Sequence, residues 1–391
     1  MSSFVRPRKM EEIACAESTK AIIERLILAK GSGFGSEEEE QGRGLVEWVR
    51  EGLVRVTLDK PTHPLDILTV SLHLPATPGE IARHIEGATV MGANEQFIVI
   101  STGPKLYDFA SSGHYLVFDT KAAKLHLVPW IDWIPRGTPC SCTRRATTAG
   151  FKQREVSLPR DVVEYPFSTD VAFPIHGDLG CWVDLKLGML LRDLHSDGPC
   201  AARFVPLPEG CQLSSFPMSR GRPNVHCTVG FVNGSVRLVY MDGYVDHDEC
   251  PRDQVTISTW SYKGDLSGKK PDQEGEWVRD DATLLRVGDL WDDVSFRAIP
   301  GLPKRPPMCP ILSHSDPNVV YFFTSDIGYV DGRTATRGEH VLCLNMQSKT
   351  IQSWRKCPPG RSFILIPSLI AIELPVDPRF SDLDDQVTSQ L

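Results

Sequence analysis

A chain of 391 residues with 41% hydrophobic and 24% charged residues has the composition of a folded protein with a large core or several repeats, which excludes wholesale disorder. Its 42 Lys and Arg against 50 Asp and Glu leave a net charge of −8, which argues against a generally basic surface for nucleic acid or anionic membrane. The eleven cysteines are odd in number and scattered without a small-scaffold framework, so reduced thiols are expected.

At the start, Ser2 to Lys9 is basic but lacks the apolar region of a signal peptide, so the expected location is the cytoplasm and/or nucleus. Ile22, Ile23, Leu26 and Ile27 then fall at helical spacing, and Gly31-Ser32-Gly33 ends the pattern. This predicts a short N-terminal amphipathic helix. The acidic run from Glu37 to Glu40 reads as a solvated spacer, so residues 1–43 are expected to form a helix and acidic linker.

From Gly44 the pattern changes to short apolar runs separated by Gly, Pro, Asp and Asn, which predicts an all-β body over residues 44–375. A hairpin is expected at residues 53–74. The strongest turn signal is Asn233-Gly234, because both residues tolerate the positive φ of a two-residue hairpin; it joins Cys227 to Val232 with Ser235 to Met241. A polar loop over residues 242–253 leads to a third run, Val255 to Ser261, and a fourth, Glu276 to Arg279. Four consecutive strands joined by turns are the unit of a β-propeller blade.

The third-to-fourth-strand hairpin recurs three times: Tyr115 to Asp119 with Lys124 to Pro129, Leu190 to Leu194 with Ala202 to Leu207, and Val341 to Asn345 with Thr350 to Trp354. In each unit a polar residue (Asp119, Asp193, Ser261 or Asn345) stands where an Asx-type side chain caps the turn. The intervals between these caps exceed the roughly 40–50 residues of a typical blade. Together with the early hairpin they predict a propeller of about six blades, five to seven being open, with long insertions at residues 131–165 and 288–305. Residues 363–374, interrupted by Pro367 and Ser368, are too short to span a bilayer and read as a buried strand that closes the ring on the N-terminal strands. Residues 376–391 read as a disordered acidic tail.

Three blocks taken in order, Gly180-Cys181-Trp182-Val183-Asp184-Leu185, Leu190-Leu191-Arg192-Asp193-Leu194 and Arg203 to Gly210, resemble the plant family, expanded in grasses, known as domain of unknown function sixteen-eighteen. Val255 to Tyr262, Leu290-Trp291, Gly301-Leu302-Pro303 and Asn318 to Phe323 are similar in kind and order, and the resemblance spans roughly residues 44–354. It implies relation to the propeller-like domains that accompany F-box motifs, and hence protein recognition. It supplies no catalytic residues, and this chain has no recognisable F-box.

Candidate chemistry is sparse, and no catalytic, cofactor or metal residue is assigned. Gly31-Ser32-Gly33-Phe34-Gly35 lacks the Walker lysine and reads as a flexible linker. Cys140-Ser141-Cys142 with His176 and Cys181 has poor zinc spacing, so free thiols are expected, with Arg144 and Arg145 as a weak reason for thiol reactivity. His176-Gly177-Asp178 and Asp246-His247-Asp248-Glu249 read as turn residues and a solvated acidic loop. Arg136, Arg144, Arg145, Lys152, Arg154 and Arg160 form a basic cluster with only Phe151 for base stacking, which suits a protein-binding loop better than a nucleic-acid site. Trp130, Trp133, Trp182, Trp260, Trp277, Trp291 and Trp354 read as packing between blades. The function expected is therefore a non-enzymatic protein–protein interaction module needing no cofactor. Its expected partner is another protein bound through blade loops, chiefly residues 131–165 and 242–253. The alternative is a hydrolase-like site assembled at the propeller's channel mouth.

Overall fold

The structure is a computed structural model that describes residues 19–23, 28–31, 45–58, 65, 67–75, 88–93, 97–102, 114–120, 122–129, 156–157, 167, 169–175, 179–193, 200–211, 223–244, 251–266, 275–330, 333–357 and 372–376. Near the N-terminus lie β1 (Thr19–Ile23), β2 (Leu28–Gly31), α1 (Leu45–Arg50), β3 (Arg55–Leu58), β4 (Ile67–Leu68) and β5 (Val70–Leu74). Four antiparallel blades follow. Blade 1 is β6 (Thr89–Ala93), β7 (Phe97–Ser101), β8 (His114–Asp119) and β9 (Lys124–Pro129). After β10 (Val156–Ser157), blade 2 is β11 (Val171–Pro174), β12 (Leu179–Asp184), β13 (Gly188–Asp193) and, beyond β14 (Cys200–Ala201), β15 (Arg203–Pro206). Blade 3 is β16 (Cys227–Val232), β17 (Ser235–Asp242), β18 (Thr256–Lys263) and β19 (Glu276–Arg279). Then come β20 (Leu285–Arg286), α2 (Val287–Asp292) and α3 (Val294–Arg297). Blade 4 is β21 (Met308–Leu312), β22 (Val319–Val330), β23 (Arg333–Asn345) and β24 (Thr350–Lys356), and β25 (Ile372–Val376) ends the described chain.

The innermost strands meet in ring order, β6 with β11, β11 with β16 and β16 with β21; β25 touches both β21 and β6. The gap between the last and first blades is therefore filled from both ends of the chain: β25 pairs antiparallel with β1, β1 parallel with β4, β2 parallel with β5, and β5 antiparallel with β3. Glycine sets the spacing where inner strands crowd. A Cβ on Gly92 would lie 2.9 Å from the Ala172 carbonyl oxygen, and one on Gly230 would lie 3.2 Å from Leu312 Cδ1.

Strand alternation explains the separate cores, because successive side chains of a central strand face opposite neighbouring blades. On β17, Val236, Leu238 and Tyr240 pack with Cys181, Val183 and Leu191 of blade 2, while Val239 and Met241 pack with Val320, Phe322 and Leu342 of blade 4. On β22, Tyr321 and Phe323 turn the other way, toward Leu65 and Ile67 of the closing region. Leu45 and Trp48 of α1 fill the layer between β5 and blade 1. A side chain as fully buried as Phe322 contributes ~1.5–3 kcal/mol over exposure.

The stretch expected as an insertion at residues 288–305 is largely a buried wedge. Val287, Leu290, Trp291, Phe296 and Ile299 enter the core between blades 3 and 4. Asp293 caps α3 by accepting from Ser295 N at 2.7 Å, and Ser295 Oγ accepts from Ile351 N at 2.9 Å, which ties the wedge to β24. The Ser295 hydroxyl, which donates to Asp293 Oδ1, and then the Ser295 N–H hold the Asp293 carboxyl below its ordinary range.

The predicted hairpins are present, and the Asn233-Gly234 turn has φ of 48° and 80°. Asp119 Oδ1 accepts from Ala122 N at 3.0 Å, and Asn345 Oδ1 accepts from Gln347 N and Ser348 N, so both cap as expected. Two expectations are corrected. Among the described residues the four-stranded blades number four rather than about six, and consecutive caps belong to consecutive blades whose inner strands touch. Among the described residues the N-terminal segment predicted as a helix is strand instead: Ile22 and Ile23 lie in β1, where pairing with β25 and β4 overrides the helical spacing, and the first described helix is α1. The expected acidic spacer at residues 37–40 and nearly all of the expected tail, residues 377–391, lie outside the described residues.

A candidate interaction arm on blade 4

Blade 4 departs from its neighbours in strand length. β22 has 12 residues and β23 has 13, whereas the flanking β21 and β24 have 5 and 7. Met308 pairs with Phe323 and Lys356 with His340, and past that level no described strand flanks the central pair. The pair continues alone through Asp326↔Arg337, Ile327↔Thr336, Gly328↔Ala335, Tyr329↔Thr334 and Val330↔Arg333. The sequence explains the two stops. Pro306-Pro307 precede Met308 and Pro358-Pro359 follow Cys357, and proline has no N–H to offer a ladder.

A β-bulge sits where the arm leaves the blade, between the Thr324↔His340 and Asp326↔Arg337 rungs. Gly338 takes φ +61° there; a Cβ would come no closer than 3.7 Å to His340 Cε1, so backbone conformation rather than space favours glycine. His340 Nδ1 donates to the Gly338 carbonyl at 2.6 Å, Cys357 N donates to the Glu339 carbonyl at 2.8 Å, and Arg305 pairs with Asp326 at 3.2 Å. Thr324, Ser325, Glu339 and His340 are all buried at this root, and among the described residues Thr324 Oγ1 has no partner. Burial holds the His340 imidazole below its ordinary pKa, with Lys356 adding to the shift and the Gly338 carbonyl opposing it. Burial, with Glu339, pushes the Cys357 thiol up to about 12.

By strand alternation the arm has two unlike faces. In the backbone register Asp326, Gly328 and Val330 stand opposite Arg337, Ala335 and Arg333, and Ile327 and Tyr329 opposite Thr336 and Thr334. No sequence motif singled this arm out. The signal that marks it is Val330-Asp331-Gly332-Arg333, since Asp-Gly is a two-residue hairpin signature and the Val330↔Arg333 rung leaves two residues between the strands.

Most candidates from the sequence lie outside the described residues: Cys140, Cys142, His176, Asp178, the run Asp246 to Glu249, and the basic cluster Arg136, Arg144, Arg145, Lys152, Arg154 and Arg160. Cys181 is packed between blades 2 and 3, where burial raises its pKa. Of the tryptophans, Trp182, Trp260, Trp277 and Trp291 pack in the cores, and Trp277 Nε1 donates to the Pro206 carbonyl at 2.9 Å. Trp354 is 39% exposed, with its ring tilted against His340 at 5.8 Å; Trp130 and Trp133 lie outside the described residues.

Two buried polar residues escaped the sequence reading. His226 stacks on Tyr244 and meets Tyr240 edge-on, both at 6.0 Å; its Nε2 has no partner, and burial, with Lys186, lowers its pKa to about 4. Arg237 donates to Thr259 Oγ1 at 3.4 Å, next to a Thr259–Thr283 bond of 2.6 Å. Among the described residues no group of three or more His, Cys, Asp or Glu could hold a metal ion, and no helix is long and apolar enough to cross a membrane.

Residues 182–321, just over a third of the chain and running from β12 into β22, match the family model described as Protein of unknown function (DUF1618). No curated protein matches the chain.

Proposed function

We propose that the protein, whose residues 182–321 match a family model of unknown function, is a non-enzymatic interaction module that engages another protein through the β22–β23 arm. The observation that carries this reading is that, among the described residues, no strand flanks β22 and β23 beyond Thr324 and His340. A two-stranded ribbon with open edges is costly to leave uncovered and is a ready template for strand pairing. In blade 2 two carboxylates hold backbone: Asp170 Oδ2 accepts from Leu185 N and Asp184 Oδ1 from Lys186 N, both at 2.9 Å. A reducing compartment, the cytoplasm and/or nucleus, is part of the proposal, supported by the unbridged thiols of Cys181, Cys211, Cys227 and Cys357.

Site-specific photo-cross-linking tests the reading. A cross-linker at Thr334 is expected to capture one recurrent protein species from cell extract, and the same group at Lys263, on the outer part of blade 3, is not. Equal capture at both positions, or none at Thr334, would overturn it.

A further inference from the structure

We propose that the seam between blades 3 and 4 holds a carboxylate-binding site built on Arg237, separate from the arm and independent of it. Arg237 stands on β17 in a rung that runs Gly230, Arg237, Ser261 and Val278 from the inner to the outer strand of blade 3. Two residues further along β17, Val239 packs with Val320 of blade 4, so by alternation the rung faces blade 4. Leu312 of blade 4 closes its inner end over Gly230. The outer end is open, since Ser261 is half-buried and Val278 is 42% exposed. Glycine and serine on either side leave room beside the guanidinium that larger residues would fill.

Arg237 is 9% exposed, and among the described residues its Nε–H has no partner. A buried donor in a charged group is costly to leave unpaired, and its neighbours are already committed. Thr283 Oγ1 donates to the Asp280 carbonyl at 2.8 Å, so Thr259 is the donor in the 2.6 Å bond between the two hydroxyls. Thr259 Oγ1 is then left to accept from Arg237 Nη2 at 3.4 Å, which uses one of the guanidinium's several N–H donors. Asp280 and Asp316 lie within electrostatic reach, but Asp280 Oδ1 accepts from Ala282 N and Asp316 Oδ1 from Asn318 N. Among the described residues neither makes an ion pair with Arg237. Burial accordingly lowers the arginine pKa by more than Asp280 and Asp316 raise it. A carboxylate supplies what is missing: it is planar, accepts from adjacent guanidinium N–H groups and carries one negative charge. A phosphate dianion fits less well, because Asp280 and Asp316 repel the second charge.

The test is a heteronuclear NMR titration of the full chain, labelled at its arginines, with sodium acetate at constant ionic strength. The Nε–H resonance of Arg237 is assigned by its loss in Arg237→Lys and its displacement in Thr259→Val. Acetate is expected to move this resonance saturably, and acetamide, neutral and of the same shape, to leave it in place. Thr259→Val keeps the side-chain shape and removes the competing acceptor, so it is expected to tighten acetate binding severalfold, a gain that misfolding cannot imitate. Blocked tripeptides with a central glutamate or glutamine identify the source of the carboxylate. A glutamate peptide that binds about tenfold or more tightly than acetate assigns it to a polypeptide, and equal affinity assigns it to a free small acid; the site stands in both cases. Equal responses to acetate and acetamide, tighter binding of inorganic phosphate, or an Nε–H held by an internal water that no anion displaces would each overturn the inference.

Discussion

His340 Nδ1 donates to the carbonyl oxygen of Gly338 at 2.6 Å, and since a carbonyl only accepts, this bond fixes the tautomer of the imidazole and clamps the bulge from which the arm departs. The clamp works because Gly338 holds φ +61°.

Gly338→Ala is therefore expected to destabilise the protein by about 1–2 kcal/mol through left-handed backbone strain rather than a clash. Urea unfolding measures this, and an unchanged midpoint would contradict the strained bulge.

Stability is expected to fall with acid through His226. Its folded pKa of about 4 lies below the ordinary value of 6.5, so the unfolded chain binds the proton first. The contribution is intact above pH ~6.5, declines as the pH drops, and is lost below pH ~4, a total of about 3 kcal/mol. Urea midpoints between pH 7 and 4 should show the decline, and His226→Phe, which keeps the aromatic packing, should flatten it.

Ser295→Ala removes the hydroxyl that receives Ile351 N and leaves that N–H without its partner beside a buried side chain. A loss of about 1–2 kcal/mol is expected in chemical denaturation. A neutral effect would mean that the wedge is held by its apolar side chains alone.

The buried thiols are expected to resist alkylation in the folded protein. Burial pushes Cys211 and Cys357 up to about 12 and Cys227 well above its ordinary value, leaving little thiolate at pH 8. Mass spectrometry after brief iodoacetamide treatment should find Cys181, Cys211, Cys227 and Cys357 unmodified in native protein and modified in urea; rapid native labelling of Cys227 would contradict its burial.

Much of the blade structure was legible, because alternation and Asx caps are local: the Asn233-Gly234 turn and the caps Asp119 and Asn345 act within a few residues of themselves. Blade number was not, since the length of chain between caps does not reveal that β6, β11, β16 and β21 touch in sequence. The arm was half legible. Asp331-Gly332 is its turn signal in the sequence, but that β22 and β23 run past their described neighbours shows only in the Met308↔Phe323 and Lys356↔His340 rungs at which β21 begins and β24 ends.

By itself, then, the sequence determined an all-β chain of four-stranded units, because turn chemistry and a two-residue period are properties of neighbouring residues. Only the tertiary structure decided that Ile22 and Ile23 form a strand, that residues 287–299 wedge two blades apart, and that β25 reaches back to β1 and β6. Those outcomes depend on hydrogen-bond partners and apolar faces supplied from distant parts of the chain, and a local pattern cannot rank such partners before the ring has closed.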